Sequence, residues 1–171
     1  SVSSTYLILT LIFKWISFQE FKQGLENQKI EYVEMDTKPS PLNAILWSSL
    51  IETDKGYRTA YYSLFDKQEI TYSKEFLKNH HLLEPYLEKK VIKQLIDISA
   101  GWYRIEEKNG KLLFWDLRFG QMGMDVNNAS FLWYYELNVD ETGNVKAVKR
   151  QPEIKNFKMV FKELFNRIKG N

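Results

Sequence analysis

Residues 101–119 read Gly101-Trp102-Tyr103-Arg104-Ile105-Glu106-Glu107-Lys108-Asn109-Gly110-Lys111-Leu112-Leu113-Phe114-Trp115-Asp116-Leu117-Arg118-Phe119. Asn-Gly accepts the two positive φ angles of a tight type I′ turn, so Gly101 to Glu107 and Lys111 to Phe119 are expected to pair as a hairpin. Downstream, Phe131, Trp133, Tyr135 and Leu137 alternate with Tyr134, Glu136 and Asn138, the period of a further strand. A turn through 140–144 leads to Val145-Lys146-Ala147-Val148. Upstream, residues 30–35 read as a first strand closed by Pro39-Ser40-Pro41, because proline cannot stay in a central ladder. Residues 44–53 are apolar on both faces and are expected to be central. Asp54-Lys55-Gly56 turns the chain into Tyr57 to Phe65, and Ile70 to Tyr72 adds a short edge strand.

Helical spacing takes over between the two groups of strands. Phe76, Leu77, Leu82 and Leu83 form a first short piece, and Pro85 starts the next. Val91, Ile92, Leu95, Ile96 and Ile98 recur at helical period up to Gly101, a C-terminal cap. The chain closes on a stripe of Ile154, Phe157, Phe161, Leu164 and Ile168. The expectation is an α+β fold: a meandering antiparallel sheet of about six to eight strands, with N-terminal, middle and C-terminal helices.

The first segment stands apart. Residues 1–13 carry no charge, and Tyr6-Leu7-Ile8-Leu9 with Leu11-Ile12-Phe13 is apolar around the whole helix. Lys14-Trp15 follows, a pair suited to the level where a spanning helix meets headgroups. The run is shorter than the ~20 residues of a full span. The end of a transmembrane helix, the core of an uncleaved signal and a buried helix of a water-soluble domain are the three readings, the first preferred. Beyond it, Trp15, Ile16, Phe18, Phe21 and Leu25 favour one side, and Gln19, Glu20, Lys22, Gln23 and Glu26 the other, to an end near Asn27 or Gln28. Residues 1–28 are therefore expected to be the end of a membrane-proximal helix, and 29–171 a single water-soluble domain. Because the chain opens at Ser1, a processed product or excised segment is expected. Lys14 and Lys22 balance Glu20 and Glu26, so the cell-membrane location comes without a side. An uncovered apolar helix also predicts self-association.

Composition narrows the chemistry. With 44% hydrophobic and 15% aromatic residues in 171, the chain can bury a real core. A net charge of +2 gives no polyanion signal, so no nucleic-acid partner is expected. The absence of cysteine removes thiolate ligands and thiol nucleophiles. His80 and His81 are adjacent, so on a helix they diverge and chelate one metal poorly. No phosphate loop, nucleophile elbow or zincin helix occurs, and Asn128-Ala129-Ser130 is a lone glycosylation sequon. Lys155, Lys158, Lys162, Arg167 and Lys169 outnumber Glu153 and Glu163 near the C-terminus, a solvated face or one resting on an anionic membrane. The expectation is no catalytic residue, no metal ligand and no cofactor within this sequence.

Two segments could bind something. Strand alternation turns Trp115, Leu117 and Phe119 inward and puts Asp116 and Arg118 together on the other face, beside Gly120. A carboxylate beside a guanidinium can orient a polar ligand, although an ordinary inter-strand ion pair looks the same. In Pro39-Ser40-Pro41-Leu42-Asn43-Ala44-Ile45-Leu46-Trp47, Asn43 and Trp47 either line a pocket or make a turn with a core tryptophan. Tyr61, with Tyr57 and Tyr62, offers a stacking surface or half-buried strand.

The segment 39–47, then Gly56-Tyr57, Tyr61-Tyr62-Ser63-Leu64-Phe65-Asp66 and Asp116-Leu117-Arg118-Phe119-Gly120, resemble in their order the C-terminal region of bacterial LexA-regulated, membrane-bound metal-dependent hydrolases. The resemblance runs from the opening helix to about Leu137. It implies a water-soluble domain hung after the last membrane span, with His and Asp ligands for a divalent metal in a preceding multi-pass region. None of those ligand positions is in this sequence. Three functions follow as expectations: an accessory C-terminal domain of such a hydrolase, a non-enzymatic ligand- or partner-binding module using Asp116, Arg118 and Asn43, or a structural domain anchored to the membrane.

Overall fold

A computed structural model describes residues 2–40, 43–128, 130–153 and 157–171. The fold is α+β. Helices α1 (Val2–Asn27), α2 (Lys90–Ile98) and α3 (Phe157–Ile168) accompany two four-stranded antiparallel sheets, β1–β4 and β5–β8. The strands are β1 (Glu34–Pro39), β2 (Leu46–Glu52), β3 (Gly56–Ser63), β4 (Phe76–Leu77), β5 (Tyr103–Lys108), β6 (Lys111–Gln121), β7 (Phe131–Val139) and β8 (Val145–Arg150). The chain forms two compact units, Ser1–Lys74 with Gly123–Asn127 and Lys155–Asn171, and Glu75–Met122 with Asn128–Ile154.

In the first unit β2 is central between β1 and β3, with Met35 opposite Ile51 and Trp47 opposite Tyr62. The odd-numbered residues of β2 and the even-numbered residues of β3 face α1. Trp47, Ile51 and Ala60 pack there with Phe21, Leu25, Ile70 and Tyr72. The helix lies close to this face: a Cβ on Gly24 would come within 2.6 Å of the Tyr72 hydroxyl. That hydroxyl donates to the Phe21 carbonyl at 2.6 Å. The opposite sheet face, at Leu46 and Tyr61, is covered by Leu164 of α3.

Several expectations shift. The first strand begins at Glu34 rather than Ile30, because the Ile30 amide returns to the Leu25 carbonyl at 2.9 Å and Lys29 takes φ 54° to close the helix. Pro39 ends β1, an edge strand, where its missing N–H is tolerated. Tyr72 makes an isolated bridge to Ala60 rather than a strand. In α1 the core-facing stripe is Phe13, Ser17, Phe21 and Leu25, and Trp15 and Phe18 are exposed.

In the second unit the expected hairpin forms: Asn109 (φ 52°) and Gly110 (φ 71°) join β5 to β6. The middle helix ends as expected, with Gly101 (φ 82°) donating its amide to the Ile96 carbonyl. Phe76 and Leu77 are strand rather than helix, and Pro85 falls inside the 3₁₀ helix His80–Tyr86. The next helix waits for Lys90 because Lys89 is extended. Leu83, Ile92 and Leu95 cover the sheet face of Tyr103, Ile105, Phe114 and Leu137. The expected closing stripe begins at Phe157 here; Ile154 lies outside the described residues.

Candidate functional site

Asp116 and Arg118 meet, as their spacing on β6 allows. The Arg118 Nε donates to Asp116 Oδ1 at 3.0 Å, Nη2 donates to Oδ2 at 2.7 Å, and the Arg118 amide donates to Oδ1 at 3.2 Å. Asp116 is only 1% exposed. Its cross-strand partners are Tyr103 and Trp133, so it shares the face of Phe114 and Tyr135 that α2 covers. The expected inside and outside are thus not separated here, since β6 is buried on both faces from Leu113 to Leu117. Phe119 does not turn inward. The β6–β7 register shifts between Asp116 and Gln121, Gly120 takes φ 81°, and Phe119 is exposed beneath the guanidinium, 5.1 Å from ring centroid to Arg118 Cζ. The hydrogen bond to Asp116 holds the guanidinium pKa above its ordinary value. Across β7, the Lys149 ammonium sits 3.8 Å over the Trp133 ring.

The other three residues belong to the first unit and do different work. Asn43 builds the turn into β2, its Oδ1 accepting the amides of Ile45 at 3.0 Å and Leu46 at 2.6 Å. Pro41 and Leu42 beside it lie outside the described residues. Trp47 donates its indole N–H to the Ala44 carbonyl at 3.1 Å and faces α1. Tyr61 is on the opposite face, under α3, and donates to the Gly123 carbonyl at 3.2 Å. Burial pushes its phenol up to about 12. Trp47 and Tyr61 are therefore separated by the thickness of the sheet.

Two arrangements were not foreseen. Asp66 receives both arms of Arg167, at 2.5 and 2.6 Å, and Arg167 also donates to the Tyr61 carbonyl at 2.8 Å. Asp66 further accepts the Ser63 amide, and the Ser63 hydroxyl donates to the Ile168 carbonyl. With about a hundred residues between the partners, only the fold reveals this pairing. His80 is half-buried: its ring stacks on Tyr103 at 4.0 Å and its Nε2 donates to the Tyr103 carbonyl at 2.8 Å. The sequon's central Ala129 lies outside the described residues; Asn128 donates to the Met122 carbonyl and accepts the Ser130 amide.

The most exposed apolar surface is on α1. Tyr6, Leu7, Ile8, Leu9, Leu11, Ile12 and Trp15 are all exposed, reaching 58% for Leu7 and 67% for Leu11. Among the described residues no helix is long and apolar enough to cross a membrane, and no group of three or more His, Cys, Asp or Glu side chains could hold a metal. No family model, curated protein or solved structure matches the chain.

Proposed function

We propose that this chain is a membrane-bound accessory domain, the C-terminal part of a metal-dependent hydrolase whose metal ligands lie outside this sequence. The supporting observation is α1, one continuous helix of two characters. From Phe13 onward it packs on the sheet of the first unit, while residues 6–12 present apolar side chains on nearly every side. A stripe would suit a groove on a partner; an apolar surface all round suits a solvent without direction, the lipid acyl chains. Thr10 turns its hydroxyl back to the Leu7 carbonyl at 2.8 Å, which suits that environment. At about 1.5 Å per residue, residues 2–12 reach about 16 Å, enough to enter a hydrocarbon layer of about 30 Å. Lys14 and Trp15 then sit at headgroup level. The binding-module alternative relies on Asp116 and Arg118, whose fork and carboxylate are turned on each other.

Flotation of the purified chain with phosphatidylcholine vesicles tests the proposal. Ile8→Glu with Leu11→Glu should weaken binding at least about tenfold at unchanged melting temperature, since both side chains are exposed. Equal binding by the variant, or none by the parent chain, overturns it.

A further inference from the structure

We infer that α3 is a second membrane contact, one that selects anionic lipid and sets which end of the first unit faces the bilayer. The helix has two distinct sides. Leu164 packs on Leu46 and Tyr61, and Arg167 is fixed by Asp66 and the Tyr61 carbonyl, so its rotation is set. The flank beside that packed side carries Phe157, Phe161 and Phe165, all exposed, with the first two rings 6.3 Å apart. Lys158, Lys162 and Lys169 follow beside them, also exposed. At about 100° per residue the three rings, Lys158 and Lys162 fall within about 140° of arc, and Lys169 follows in the turn after the helix. Aromatics that can enter the acyl boundary, next to lysines that can reach phosphate, make up an interfacial helix. Carboxylates do not oppose it: Glu163, the only one of α3, is half-buried, and Asp66 is closed by Arg167.

The position of α3 identifies lipid rather than nucleic acid or a protein groove. Glu34, which follows α1, pairs with Glu52 at the far end of β2, so α1 runs from the Leu46 end of the sheet toward the Glu52 end. Phe21 packs edge-on to Tyr62, opposite Trp47 near the start of β2, and the apolar residues before it extend past that end. Helix α3 covers Leu46 at the same end, and Ser63, the last residue of β3, bonds to its Ile168 carbonyl. Phe65, 56% exposed, follows Ser63 there. The emerging α1, Phe65 and the C-terminal turn of α3 therefore meet at one end of the first unit. The orientation rests on the membrane proposal for α1; the charge selectivity of α3 does not.

The test is flotation of the full chain with phosphatidylcholine vesicles and with vesicles containing about one-third phosphatidylserine. At about fivefold per lysine, the anionic vesicles should bind about 100-fold more tightly at low salt. Replacing all three lysines (Lys158→Gln, Lys162→Gln, Lys169→Gln) should erase that preference and leave binding to neutral vesicles unchanged. Phe161→Ser with Phe165→Ser should weaken binding to both. Equal affinity for the two vesicles overturns the inference, as does a preference that survives the lysine substitutions. So does a chain that dimerises through the phenylalanines and shows no charge preference, because α3 is then a self-association surface. The two proposals fail separately: absent neutral-vesicle binding with an intact charge preference removes α1 as the anchor and leaves α3 standing.

Discussion

Asp66 and Arg167 hold α3 on its sheet, and their environments differ. The carboxylate is 1% exposed, whereas the guanidinium side chain retains 19%. Removing the arginine strands a buried charge; removing the acid leaves a cation that can still reach water. Arg167→Ala should therefore cost about 3–5 kcal/mol in denaturant unfolding, and Asp66→Ala distinctly less. Arg167→Lys should recover only part, because a point charge cannot fork onto both oxygens and the Tyr61 carbonyl. Asp116 and Arg118 repeat the asymmetry in the second unit. In Arg118→Ala the buried carboxylate keeps one backbone N–H and loses its countercharge. That variant should lose about 3–5 kcal/mol in denaturant unfolding. An unchanged unfolding midpoint would mean that Asp116 still finds a partner. His80 spends its Nε2 on the Tyr103 carbonyl, so zinc titration of the chain should show no stoichiometric binding that His80→Ala abolishes.

At the scale of elements, readability followed the range of the forces. The Asn109-Gly110 hairpin and the Gly101 cap depend on backbone angles within a few residues, and both were legible. The start of β1 was not, because it depends on where α1 stops spending backbone amides. The core face of α1 was misread for a related reason. Apolar residues surround its first half, so the sequence has no direction there, and the sheet alone selects Phe13, Ser17, Phe21 and Leu25. Among the candidate residues, the Asp116–Arg118 pair was legible from strand period; the register shift that exposes Phe119 was not. Packing also creates a pH dependence that no motif announces. Tyr61 is neutral when folded up to about 12, whereas the unfolded side chain ionises near 10. Below pH ~10 both states hold the proton, and stability then falls as pH rises toward 12, by about 2–3 kcal/mol from this residue. Tyr72, raised also by burial, adds to the same alkaline limb. Tyr61→Phe should flatten that limb in unfolding curves taken across this range. An unchanged slope would mean that the Tyr61 phenol meets water.

At the scale of the whole molecule, the distribution of burial along α1 separates what folds the chain from what attaches it. The apolar side chains from Tyr6 to Ile12 are exposed, whereas Phe13 packs on the sheet of the first unit, with Ser17, Phe21 and Leu25 buried after it. Most of the free energy that this helix contributes to folding should come from Phe21 and Leu25, each worth about 2–5 kcal/mol on truncation to alanine. The preceding residues add exposed apolar surface, which in water favours association with any other apolar surface. Deleting residues 1–12 should therefore leave the melting temperature within a few degrees and the circular dichroism of the sheets unchanged. The shortened chain should elute as a narrower and smaller species than the parent in detergent-free size exclusion, and its binding to neutral vesicles should disappear. Charge-dependent binding through Lys158, Lys162 and Lys169 should remain, because Leu164 on Leu46 and Tyr61 and Arg167 on Asp66 hold α3 in place. If the deletion instead unfolds the first unit, the opening residues are part of its core, and the division of α1 into a packed half and a lipid-facing half is wrong.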